Sequence, residues 1–198
     1  MLPTRDQIEG LHHKYAPNEV AFRLVFEHCQ IVAEIAQWCT ERIQNTAEIN
    51  TELLQTACLL HDIGAYAFYD EQGERTNKRL YKQHALLGAK IVSDEGIDQR
   101  VADLIETHVL MGLSKQEIIE SHIPLPARDY SPITVEGELL CYADRFHSKR
   151  PVFNDYETFL QYLEEDMPIQ AKKFKAAADR FGIPDIQALA TKYQQPIS

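Results

Sequence analysis

Apolar residues recur at three- and four-residue intervals along almost the whole chain, the period of a helix that buries one face. Phe22, Phe26, Cys29, Val32 or Ala33 and Ala36 follow this spacing, and Asn18 with Glu19 supplies a start, so a helix is predicted over 20–43. Asn50 or Thr51 opens a second over 52–62, with Gly64 as its stop. A polar loop over 70–82 follows. Further helices are predicted from 84 to just before Gly96 and over 98–111, stopping at Gly112. A short one runs to 121, opened by the capping-box pattern of Ser114 and Glu117. Pro124, Pro126 and Pro132 break the chain into an irregular loop. A helix over 134–146 comes next, then three more over 155–165, 169–181 and 185–193, punctuated by Pro168, Gly182 and Pro184. Only 131–135 has a β-like composition, and Pro132 makes it a loop. The fold class expected is all-α.

A chain of 198 residues with 44% apolar positions suits one domain. The expected layout is a core over about 20–150 and a helical extension over about 151–198. No apolar run approaches the roughly 20 residues of a membrane span. The first residues mix Arg5 with Asp6 and Glu9 and lead into no apolar segment, so they are not read as a signal peptide, and a cytoplasmic location is expected. The four cysteines form no CxxC pair and sit among apolar neighbours, as reduced core thiols do. The net charge of −10 disfavours nucleic acid as a partner. A small phosphorylated substrate remains compatible, because bound cations and a few local Lys or Arg can reverse the potential inside one pocket.

The chemistry is concentrated in polar residues set inside apolar helical frames. The run Ala57 to Leu60 ends in His61-Asp62, followed by Ile63-Gly64. His28 lies in the middle of the most apolar helix. His84 starts His84-Ala85-Leu86-Leu87-Gly88-Ala89, and the mid-helix Gly88 implies close approach by another group. His108 and Asp144 each interrupt an apolar segment. Taken singly, each has a structural explanation as a core hydrogen bond, a turn or a salt bridge. Taken together, imidazoles and carboxylates in this mixture suit Mn, Fe, Co or Zn. Neighbours on a helix point about 100° apart, so His61 and Asp62 do not easily share one ion unless a helix end loosens the geometry.

The ordered set His28, His61-Asp62, His84, His108, Asp144 resembles the HD superfamily of metal-dependent phosphohydrolases, in the HDIG subgroup that Ile63 and Gly64 complete. The resemblance covers about 22–149. It is nearest to the branch of bacterial symmetrical diadenosine-tetraphosphate hydrolases, through His84 to Ala89 and the apolar run into Ala143-Asp144, although 145–150 departs from that branch. The resemblance implies that His28, His61, Asp62 and Asp144 bind a first divalent ion and that His84 and His108 serve a second (Fe, Mn, Co or Ni), with Asp62 bridging. It implies hydrolysis of a nucleotide or other small phosphorylated metabolite by metal-activated water. Asp62, His147 and Lys149 are the catalytic candidates, with His147 as a proton donor to the leaving group. Arg145, Lys149, Lys82 and Arg79 are the phosphate-binding candidates, with Lys78 an alternative. His122 is a weaker candidate, and His12 and His13 are expected to take no part. An HD-type di-iron oxygenase and a non-catalytic nucleotide-binding sensor are the rival readings. The oligomeric state is left open, a homodimer included.

Overall fold

The computed structural model describes residues 1–43 and 49–198. Among the described residues ten α-helices carry the fold: α1 Arg5–Tyr15, α2 Glu19–Thr40, α3 Thr51–Leu60, α4 His84–Asp94, α5 Gln99–Thr107, α6 Lys115–Glu120, α7 Val135–Ala143, α8 Tyr156–Asp166, α9 Pro168–Phe181 and α10 Ile186–Tyr193. The described residues add one two-stranded antiparallel ladder, β1 His147–Ser148 with β2 Val152–Phe153. The all-α class therefore holds.

Caps predicted from sequence define several starts. Asn18 accepts from the Ala21 amide, Asn50 from Leu53 and Thr134 from Gly137. Ser114 and Glu117 close the capping box at α6. The ends depart from expectation. The first long helix stops at Thr40, and 44–48 lies outside the described residues. The helix expected over 98–111 ends at Thr107, because the His108 ring N–H donates to the Ile105 carbonyl, the acceptor a continuing helix would use. The helix expected to reach 146 ends at Ala143 and tightens into a 3₁₀ turn, Asp144–Phe146. Gly64 does not stop a helix. α3 ends at Leu60, and Gly64 lies inside a 3₁₀ segment, Ile63–Phe68. α1, which has few buried residues to reveal it, and the β1–β2 ladder, too short for alternation to show, are not legible in the sequence.

α2 is the axial element, with buried residues along its whole length. α3 and α7 pack along it, α5 packs against both, and α4 lies across α5 and the 63–68 turn. The C-terminal helices are integral to the same core: Phe174 and Phe181 of α9 are buried with Tyr142 of α7, whose hydroxyl donates to the Gly182 carbonyl. Lys192 and Tyr193 tie α10 to Glu34 of α2. The outcome is a set of helix ends converging on the middle of α2, where His28 lies.

Candidate metal centre

His28 alone comes from mid-helix. His61 and Asp62 follow the last residue of α3, His84 is the first residue of α4, His108 follows α5 and Asp144 follows α7. At these ends the backbone leaves the helical path, so side chains from four elements reach one point. This is how the adjacent His61 and Asp62 come to face the same place. All six residues are buried.

Two ligand clusters share Asp62: His28, His61, Asp62 and Asp144 in one, Asp62, His84 and His108 in the other. In the first, His28 Nε2 lies 3.0 Å from Asp144 Oδ1, 3.2 Å from Asp62 Oδ2 and 3.2 Å from His61 Nε2. His61 Nε2 lies 3.4 Å from each of the same two oxygens. In the second, Asp62 Oδ1 lies 3.1 Å from His84 Nε2 and 3.7 Å from His108 Nε2, and the two nitrogens are 3.0 Å apart. Separations of this size are the edges of a coordination polyhedron with ligands at about 2.0–2.2 Å.

The proton count supports a metal. His61, His84 and His108 each donate Nδ1–H to a carbonyl three residues back: Cys58 at 2.7 Å, Tyr81 at 2.6 Å and Ile105 at 2.6 Å. Each ring then turns Nε2 to the carboxylates. Burial lowers His61, but Asp62 outweighs it and raises this imidazole well above its ordinary value, so that without a metal a proton fills the place of a cation there. Burial pushes His28 and His108 down to about 3, so both stay neutral near pH 7. Burial would also raise the Asp62 carboxyl, but Lys149, His61 and His84 around it hold it well below the usual carboxylate range. Asp62 Oδ1 is fully buried without a hydrogen-bond partner among the described residues, although it faces two imidazoles. Lone pairs and carboxylates directed at one another are costly to bury unless cations sit among them. The donor set, nitrogen and oxygen without thiolate, fits a divalent transition metal.

The HD domain family matches residues 25–149, which contain all six candidate ligands.

The chain belongs to the HD domain family.

It is 36% identical over 134 residues to an uncharacterized protein of Methanocaldococcus jannaschii, covering 66% of this chain and 72% of that one. It is also 27% identical to a tRNA (cytidine(56)-2'-O)-methyltransferase of Picrophilus torridus, over 80% of this chain but 41% of that protein. A namesake from Thermoplasma volcanium is 30% identical over 73% of this chain and 36% of its own length. The chain thus spans about two-fifths of those two methyltransferases. Among solved structures, the HD domain of the L. monocytogenes phosphodiesterase PgpH, crystallised with cyclic-di-AMP, shares the fold with a TM-score of 0.58 and 18% identity, over 97% of this chain and 99% of that one.

Around this HD centre the candidate cations separate into near and far. Lys149 bonds Asp62 Oδ2 and Arg145 bonds Asp144 Oδ2, so each touches a ligand's carboxylate. Burial lowers Lys149, but Asp62 outweighs it and the ammonium is held protonated, above its ordinary value. Lys82 is half-buried and lowered, first by burial and then by Arg145 beside it. Lys78 and Arg79 lie exposed on the 70–82 loop, and His122 is exposed on the turn after α6. His12 is buried and structural in its contacts: Tyr66 O–H donates to its Nδ1 at 2.7 Å, and its Nε2–H donates to the Leu59 carbonyl at 2.8 Å.

His147 corrects the proton-donor expectation. Its Nδ1 lies 2.9 Å from His28 Nδ1 and its Nε2 lies 2.7 Å from Gln195 Oε1, so neither ring nitrogen is free for a leaving group. Tyr81 is a residue the sequence reading passed over. Its ring stacks on His84, with centroids 4.8 Å apart, and Lys149 Nζ lies 5.6 Å from its centroid. The Tyr81 hydroxyl is buried without a hydrogen-bond partner among the described residues. No sequence period marks it, since it lies in a 3₁₀ turn between a loop and α4.

Proposed function

We propose that this HD domain is a metal-dependent phosphohydrolase acting on a nucleotide or other small phosphorylated metabolite through a two-ion centre. The observation that carries the reading is the Asp62 carboxylate, whose two oxygens face separate histidine clusters while Lys149 stands beside it. His28, His61, Asp62 and Asp144 would hold one ion, and Asp62, His84 and His108 the other. When bound, two such ions supply a water acidified toward neutrality and positive charge for phosphoryl oxygens.

The chain's own groups do the rest. Lys149, Arg145 and Lys82 bring three cations to one side of an otherwise acidic protein, where they bind and neutralise phosphate oxygens. Burial pushes the Tyr81 phenol above its ordinary value, so it keeps its proton and can donate to a phosphate oxygen. The helix ends packed around α2 limit water around the ligands. The substrate classes to compare are dinucleoside polyphosphates, to which the sequence resemblance points, and cyclic dinucleotides, the class that the PgpH domain binds.

The test is phosphate and nucleotide release from mono-, di- and triphosphates, dinucleoside polyphosphates and cyclic dinucleotides. It is run with Fe²⁺ without oxygen and with Mn²⁺, Co²⁺ or Ni²⁺, with Asp62→Ala as the blank. Turnover of one class, lost in the blank, is expected. A silent panel from metal-loaded protein would overturn the proposal. Oxygen uptake would then favour the di-iron oxygenase, and ligand binding without turnover the sensor.

A further inference from the structure

Behind His28 runs a line of buried and half-buried polar groups that the metal centre does not itself use. Gln195, just after α10, donates Nε2–H to Glu27 Oε2 at 3.0 Å and turns its Oε1 to His147 Nε2 at 2.7 Å. His147 Nδ1 in turn meets His28 Nδ1 at 2.9 Å. Gln195 reaches this place because the 195–198 segment runs beside β2: the Phe153 amide donates to the Pro196 carbonyl at 2.9 Å and the Ser198 amide to the Phe153 carbonyl at 2.9 Å.

The donors and acceptors in this line can be counted. A carboxylate only accepts, so Glu27 takes the amide NH₂ of Gln195 and leaves its carbonyl oxygen for His147. That oxygen also only accepts, so the His147 proton sits on Nε2 and its Nδ1 is a lone pair. Two facing nitrogens need one proton between them, which must then be on His28 Nδ1. His28 Nε2 is left as a lone pair directed at Asp62 and Asp144. Unlike His61, His84 and His108, His28 has a side chain in place of a backbone carbonyl behind it, so its tautomer is fixed only as firmly as this line.

We propose that Gln195, oriented by Glu27, is a positioning residue that sets the tautomer of His147 and, through it, turns the His28 lone pair to the metal. The inference rests on the metal-centre reading and is independent of the reaction catalysed. Outer-shell partners of this kind change metal affinity about 10–100-fold.

The test has two arms. Nitrogen-15 NMR of the histidines in metal-free protein should find the His147 proton on Nε2 and the His28 proton on Nδ1. Co²⁺ binding is then measured in a His108→Ala background, which isolates the four-donor cluster. Gln195→Leu should weaken it about tenfold, and the exchange Glu27→Gln with Gln195→Glu, which keeps an acceptor facing His147, should restore it to within about threefold. A His147 proton on Nδ1 would overturn the proposal. So would unchanged Co²⁺ affinity in Gln195→Leu, or a loss that the exchange does not rescue, which marks a merely structural role. If Gln195→Leu does not fold, the NMR arm decides.

Discussion

Gly64 and Gly88 pass so close that the Gly64 backbone leaves no room for a side chain. A Cβ on Gly64 would overlap the His84 carbonyl oxygen and the Gly88 amide and lie 2.9 Å from Gly88 Cα. A Cβ on Gly88 would meet Ile105 at 3.1 Å and the His61 carbonyl at 3.4 Å. The contact sets the first turn of α4, and therefore His84, against the segment that carries His61 and Asp62. Gly64→Ala should push α4 away, costing about 1–3 kcal/mol as overpacking does, and lower bound metal from two ions to one. Metal analysis and thermal melting check both. Two ions held at unchanged affinity would show that this approach does not position His84.

Lys149 tests the phosphate-binding side independently of the metal. It contacts Asp62 but is not itself a donor in either cluster. Lys149→Met should retain metal and raise KM for the phosphorylated substrate about tenfold, the scale of one lost charge-assisted contact. An unchanged KM would assign phosphate binding to Arg145 and Lys82.

The Tyr81 hydroxyl separates stability from activity. A buried hydroxyl without a partner costs free energy, so Tyr81→Phe should leave the melting temperature unchanged or higher. If the hydroxyl donates to substrate, the same variant should lower kcat/KM about tenfold. A variant with full activity would make Tyr81 a packing residue behind His84.

His12 predicts an acid limb. Burial lowers it from 6.5 to about 4, outweighing the bond to the Leu59 carbonyl that favours its proton. The unfolded chain takes up this proton more readily than the folded one. The contribution is thus full above about pH 6.5 and is lost as pH falls toward 4, in all about 3 kcal/mol. His12→Gln should lower stability at pH 7 by removing two buried bonds. It should also flatten the dependence of urea-unfolding free energy on pH between 6.5 and 4 by up to one proton. An unaltered slope would mean that His12 is not the group responsible.

The sequence by itself determined the helical class, most helix starts and the order of six candidate ligands. Period and caps are local properties, and a histidine or aspartate inside an apolar frame is conspicuous without coordinates. Gly88 was legible too, as a mid-helix glycine calling for close approach. Only the tertiary structure decided how these residues are arranged. That Asp62 divides its oxygens between two clusters depends on helices far apart in the chain ending at one point. Gly64 proved to be a packing contact and not a helix stop, because its neighbour is Gly88, 24 positions away. His147 resembled a proton donor until His28 and Gln195 filled its two nitrogens, and those partners lie 119 and 48 residues from it. Tyr81, Glu27 and Gln195 carry no periodic signal, because a hydrogen bond between distant residues leaves no mark on the spacing of either.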